Sequence, residues 1–410
     1  MHRRLSICAV LGVAVVLIGL LHAEAGAPTI SAIVTTADQR SWYLAHATIW
    51  RQPRPLSPDD VLDGPRGVFP YTFTHATSVD GVTCAFTTPG KELSGRSEKF
   101  ECRSEDGHIL RIKYWDAENG SGNREVFASV VATRLLWALG FNAVPVLPIK
   151  VRCQGCPANP MTGQGETRDR RYIGLMEIRL PMPVIVSGEN LEQGWSWHEL
   201  DDAIASLPPG DERLRQRTYF DALTLLAVLI QHGDRKPEQQ ALDCEEPVDS
   251  TRGEVLVGDG SARTLLLEHS GLPACPRSAV TMVDVGATFG GAGRLSREST
   301  AKMNFEAWRR KPVFVDGTCR GRLTVSMAAG RNGEPDPLIS EEGRRFLVEQ
   351  LRRLGPEQVR ALFEAGQIEW FSGGRRPNTS HNVSSVDAWV SVFEDKVRQI
   401  EARTCPPAWR

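Results

Sequence analysis

Apolar and polar positions alternate in three consecutive stretches between residues 81 and 115, and this period of two predicts short strands. They read GVTCAFTT (81–88), EKFECRSE (98–105) and HILRIKYW (108–115), with Gly90, Gly95 and Gly107 marking the turns. A small antiparallel sheet is expected. The period then changes: in NREVFASVVATRLLWALG (123–140) the residues Phe127, Val130, Val131, Leu135 and Ala138 fall on one helical face, with Asn123 as N-cap and Gly140 as stop. Apolar runs at 144–151 and 172–178 complete the predicted sheet. A second helical pattern, 211–231, ends in the run LTLLAVLI and delivers the chain into a polar loop. A strand at Met282–Val283 and late helices at about 340–365 and 385–403 follow.

The chain ahead of this pattern holds two different objects. Arg3 and Arg4, an apolar run from Leu5 to Leu21 and Ala23-Glu24-Ala25 read as a cleaved export signal over residues 1–25, with a retained membrane anchor as the alternative. Residues 26–80 form a polar arm punctuated by Pro53, Pro55, Pro58, Pro65 and Pro70. It is expected to lie over the domain surface, anchored by Trp42, Tyr43 and Trp50.

Composition narrows the choices. With 410 residues, 41% of them hydrophobic, the chain can bury a large core. Its net charge of -2 supplies no basic field for nucleic acid and no polybasic membrane contact. Removing the leader removes Cys8 and leaves eight cysteines, an even number that favours disulfides in an exported chain. The expected local pairs are Cys84 with Cys102, Cys153 with Cys156, and Cys244 with Cys275. The last would contribute about 3.7 kcal/mol on chain-entropy grounds.

The candidate chemistry lies in HGDRKPEQ (232–239), which echoes the catalytic loop HRDLKPEN of protein kinases. Asp234 stands where a carboxylate orients an accepting hydroxyl, Lys236 where a cation meets the moving phosphoryl, and Gln239 where a metal-binding Asn is usual. Upstream, LSGRSEKF (93–100) is a loop between strands whose backbone N–H groups suit an anion, with Gly95, Ser97 and Lys99 in it. Alternation with Ile112 puts Lys113 on the face opposite that apolar side chain. Glu125, in the first helical turn, is the expected partner of Lys113. Glu118 is the alternative partner, and complementing the helix dipole is the structural alternative for Glu125. Downstream, Asp284-Val285-Gly286 ends a strand, which makes Asp284 the second carboxylate.

Together LSGRSEKF, Lys113, Glu125, HGDRKPEQ and Asp284-Val285-Gly286 resemble the protein-kinase-like superfamily over about residues 81–290. SGRSEK is similar to the phosphate loop of HipA-type kinases, and GDRKPEQ resembles the GDRHxxN loop of phosphoinositide lipid kinases. The resemblance implies an α+β, two-lobed protein-kinase-like fold with a small antiparallel-sheet N-lobe (81–178) and a mainly helical C-lobe (179–410). It implies ATP with Mg2+ or Mn2+ between the lobes, a Lys113–Glu125 ion pair, Asp234 as base, and Asp284 with Gln239 on the metal. Glu177 falls at the crossover between lobes, where backbone groups meet adenine. Fifty positions separate Asp234 from Asp284, so an irregular insertion at 244–280 is expected.

The function this implies is exported phosphoryl transfer to a protein or small-molecule hydroxyl, with no nucleic acid partner and no stable membrane anchor after signal cleavage. The alternative is a pseudokinase scaffold, for which Gln239 in place of Asn is the relevant departure. A thiol-redox role for Cys153-Gln154-Gly155-Cys156 is disfavoured because Pro157 and Pro160 follow it in a loop. His198-Glu199 lacks the second His of a zinc-protease helix.

Overall fold

The computed structural model describes residues 30–88, 93, 97–115, 125–178, 182–187, 194–245, 254–257, 263–266, 275–290, 303–323, 335–367 and 385–408. The expected leader at 1–25, Gly95, Glu118 and the N-cap Asn123 lie outside them.

The alternating stretches form β2 (Val82–Thr87), β3 (Lys99–Ser104) and β4 (Ile109–Trp115). With β5 (Val146–Cys156) and β6 (Arg168–Glu177) they close into a five-stranded barrel of order β2-β3-β4-β6-β5. This differs from the small antiparallel sheet expected, because β2 also pairs in parallel with β5 and joins the two edges. Closure leaves no strand edge exposed. Phe100, Ile112, Leu147, Ile149 and Met176 fill the barrel, together with the buried Cys84–Cys102 and Cys153–Cys156 disulfides. The opposite face of each strand points outward, and there β3 and β4 carry Lys99 directly opposite Lys113.

Helix α4 (Glu125–Ala138) packs against the outside of the barrel and is buried almost all round rather than along one stripe. The reason is that α9 (Pro356–Ala365) covers its other side. Helix α6 (Asp211–Ile230) is the axis of the larger core, packed on α8 (Glu341–Leu351), with α5 (Trp197–Ser206), α7 (Phe305–Arg310) and α10 (Val386–Glu401) around it.

The arm and the expected insertion are both more structured than their sequences suggested. Residues 30–35 form β1, which pairs in parallel with β7 (Val184–Ser187) and with β10 (Arg263–Leu266). The arm adds α1 (Ala37–Ala45), α2 (Pro58–Asp63) and α3 (Phe73–Thr77), and it buries Ile33, Tyr43, Leu44, Ile49 and Val61. Trp42, by contrast, is exposed. Within the expected insertion, β9 (Glu254–Val257) and β10 form an antiparallel pair. A mixed six-stranded sheet results, of order β11-β8-β7-β1-β10-β9, where β8 is Gln240–Cys244 and β11 is Ser278–Met282. The larger body is therefore α+β rather than mainly helical.

All three expected disulfides are present, and Cys319 pairs with Cys405. Cys244–Cys275 closes one end of the β8–β11 ribbon. The other end carries the candidate chemistry. Among the described residues no helix is long and apolar enough to cross a membrane.

The ribbon also holds a buried acid. Burial pushes the Asp243 carboxyl up to about 6, against a hydrogen bond with Thr281. Between about pH 4, where the unfolded chain ionises this group, and about pH 6, only the folded chain holds the proton, so stability falls across that window as pH rises. Asp243→Asn is expected to flatten this fall and to raise stability at pH 7 by about 2 kcal/mol, read by urea unfolding across pH 4–8. A residual slope belongs to Asp221 on α6, which burial likewise raises to about 6.

Candidate active site

Antiparallel pairing of β8 with β11 sets Gln240 opposite Met282, so residues just before β8 and just after β11 emerge at the same end. That register brings two distant sequence motifs together. The Gln239 carbonyl, in a short 3-10 turn over Pro237–Gln239, accepts from the N–H groups of Val283 (2.9 Å) and Asp284 (3.2 Å). Loop 232–239 is thereby fixed against 284–286. Helix α6 leads into it through Gln231, in the left-handed region at φ 60°, after which the His232 N–H donates to the Ala227 carbonyl at 2.7 Å. His232 and Arg235 are both buried.

From the barrel, Lys113 reaches the same place. Its ammonium lies 2.7 Å from Glu177 Oε1 and 3.5 Å from Asp284 Oδ2. Burial alone would lower the pKa of this lysine, but the carboxylates of Asp284 and Glu177 outweigh it and hold the ammonium above the usual lysine range. Asp284 is also poised between opposing effects. Its protein surroundings oppose ionisation, yet Lys113, the Gly286 N–H at 3.2 Å and His232 together hold the carboxyl below the usual range. Lys99 is pulled down by burial and by the Lys113 ammonium facing it, against Glu177 and Asp284. The surface it shares with Lys113 is therefore cationic, with Asp284 across from it.

The expected Lys113–Glu125 ion pair is replaced by Lys113–Glu177. The cause is strand geometry: Leu175 is opposite Lys113 and Glu177 is opposite Arg111, so Glu177 shares the outward face and sits diagonal to the lysine. Its side chain serves the lysine, where a crossover residue offering only backbone groups was expected. Alternation in the run Leu175-Met176-Glu177 carries that signal. Glu125 contributes to the field on Lys113 and accepts from Ser97 Oγ at 3.0 Å. Asp234 and Lys236 form a longer pair, 3.5 Å between Oδ2 and Nζ.

Gly286 is required by a close approach. A Cβ there would collide with the Glu125 side chain and lie 2.7 Å from Ser129 Oγ. Gly286→Ala is expected to displace Glu125 from Ser97 and to cost about 1–3 kcal/mol, read by denaturant unfolding. An unchanged midpoint would mean that α4 yields freely.

Sequence reasoning also missed a brace beneath the loop. The Arg235 guanidinium lies 4.0 Å from the centre of the Trp197 ring, and Trp195 Nε1 donates to the Ala241 carbonyl at 3.0 Å.

Among the described residues, no group of three or more His, Cys, Asp or Glu side chains is arranged to hold a metal. The candidate donors Asp284 and Gln239 are oxygen ligands adjacent through the backbone. Oxygen is the donor type that magnesium takes, and an amide one methylene longer than that of asparagine is the departure in this pair.

No family model matches this chain, and no curated protein matches it. Among solved structures, the proinflammatory kinase CtkA of Helicobacter pylori is similar at 10% identity and a TM-score of 0.39, over 78% of this chain and 94% of that one. A TM-score at that level does not define a shared fold.

Proposed function

We propose that this chain is an exported, protein-kinase-like phosphotransferase, with the barrel as N-lobe and the α6-centred body as C-lobe. The observation that carries the reading is convergence: Lys113 from β4, Asp284 after β11 and the loop 232–239 meet in one place although far apart in sequence. Lys113 and Lys99 hold nucleotide phosphates, Glu177 orients Lys113, and Ser97 with Glu125 fixes the loop between β2 and β3 against α4. Asp284 and Gln239 would hold Mg2+ or Mn2+, which would supply charge neutralisation for the phosphates.

Asp234 acts on the acceptor. It takes the hydroxyl proton as that oxygen forms a bond to the γ-phosphorus; the bond from this phosphorus to the bridging oxygen breaks, and ADP leaves. Lys236, paired with Asp234, faces the charge on the moving phosphoryl. Four disulfide pairs are compatible with an oxidising compartment and support the export reading. The acceptor is a protein or small-molecule hydroxyl.

A second reading, a nucleotide-binding pseudokinase, is favoured by one feature: Gln239 stands where Asn is usual, and its extra methylene displaces the amide oxygen against a metal shell that wants oxygens at about 2.0–2.1 Å. Transfer of labelled γ-phosphoryl from ATP to the protein or to water, with magnesium and with manganese, separates the two. Metal-dependent transfer supports the enzyme, and nucleotide binding without transfer supports the scaffold.

A further inference from the structure

Segment 194–197 lies directly beneath the candidate catalytic loop, touching it at two places and the start of β8 at a third. A Cβ on Gly194 would collide with the carbonyl oxygens of Pro237 and Gln240, so this backbone is seated against the turn that ends the loop. Trp195, fully buried, donates to the Ala241 carbonyl, and the ring of Trp197 supports the Arg235 guanidinium. Loop 232–236 has no regular secondary structure of its own. Its position depends on what lies beneath it.

The segment is in turn held from the N-terminal arm. Arg40, on α1 and 5% exposed, donates through Nη2 to the Gly194 carbonyl at 2.9 Å and through Nη1 to the Ile185 carbonyl on β7 at 3.1 Å. Its Nε and Nη2 reach the two oxygens of Glu199 at 2.5 and 3.2 Å. Glu199 also closes the capping box that starts α5: the Ser196 N–H donates to it at 3.3 Å, and its own N–H donates to Ser196 Oγ at 3.1 Å. One guanidinium thus ties together β7, the segment under the loop and the start of α5. This planar fork is a task that lysine cannot reproduce.

We infer that Arg40 is a positioning residue which sets the place of loop 232–240 from the N-terminal arm, with Glu199 as its partner. Its consequence for catalysis rests on the phosphotransferase reading above. The donor side of the site, Lys113 with Glu177, is built on the barrel and does not pass through Arg40. Loss of Arg40 therefore separates the two halves of the reaction: nucleotide still binds, while the acceptor proton and the loop carboxylate are misaligned.

The test compares wild type with Arg40→Met, which keeps the stem and removes the fork. Glu199→Gln, which leaves the two carbonyl bonds of Arg40, is the milder second variant should the first fail to fold. Backbone hydrogen exchange in peptides covering 232–244 is expected to rise about ten-fold or more, with exchange in β3 and β4 unchanged. The dissociation constant for ATP without metal, held by Lys113 and Lys99 on the barrel, stays within about three-fold while turnover with manganese falls about a hundred-fold. Unchanged exchange in the loop, or equal acceleration in barrel and loop, would overturn the inference. If the wild type turns over no nucleotide and the loop still loosens in the variant, the phosphotransferase reading falls and the brace stands.

Discussion

Lys113→Met is expected to lower stability by about 3 kcal/mol and to abolish nucleotide binding. The lysine is 7% exposed and stands between two carboxylates, so its removal leaves Glu177 and Asp284 without their shared counter-charge. Breaking such a pair costs more than the pair contributes, because the remaining charges stay desolvated. The double variant Lys113→Met/Glu177→Gln separates the two effects. With one carboxylate neutralised, most of the lost stability returns, read by urea unfolding, while nucleotide binding stays absent. If the double variant is no more stable than the single one, Glu177 is not the partner that matters.

Asp234→Asn is expected to lower turnover by about 10²–10⁴-fold, with nucleotide affinity changed less than about three-fold. The substitution is nearly isosteric, and the Asp234–Lys236 pair is long and partly exposed, so it contributes little to folding. Loss of proton acceptance without loss of donor binding is the signature of a base on the acceptor side. Equal losses in affinity and turnover would place Asp234 on the nucleotide instead. Single-turnover measurements at saturating ATP and manganese make the distinction.

Legibility in the sequence followed the range over which each feature is encoded. Strands β2, β3 and β4 carry their signal in local alternation, and helices α4 and α6 in long apolar runs, so these elements were readable to within a few residues. The closed barrel was not, because it depends on β2 meeting β5 in parallel, a pairing between segments some 70 positions apart. Strand β1 was hidden for the same reason: ISAIVT has meaning only between β7 and β10. The helices of the arm did leave local marks that went unread. Thr36 with Gln39 and Ser57 with Asp60 are capping boxes, and the Ser196–Glu199 box lay in the same run as the discarded zinc motif.

The candidate site shows the same division. Asp234, Lys236, Gln239 and Asp284 were marked by contiguous motifs, and Lys113 by its strand. The partner of Lys113 is not legible locally: a first-turn helix position points to Glu125, while the side that Glu177 faces depends on how β6 pairs with β4. Arg40 was invisible to motif reading, since its four hydrogen bonds go to groups some 145–159 positions away. Two of those acceptors are backbone carbonyls, which leave no trace in side-chain identity.

Ligand-induced thermal stabilisation tests most directly for a nucleotide site completed by a metal on Asp284. The oxidised protein is measured alone, with ATP, and with ATP plus manganese, beside Asp284→Ala. At about 100 times its dissociation constant a ligand stabilises by about 2.7 kcal/mol. A manganese-dependent rise of that order in the wild type, absent from Asp284→Ala, is the result expected. No rise with ATP and manganese in the wild type, or an equal rise in both proteins, would contradict it.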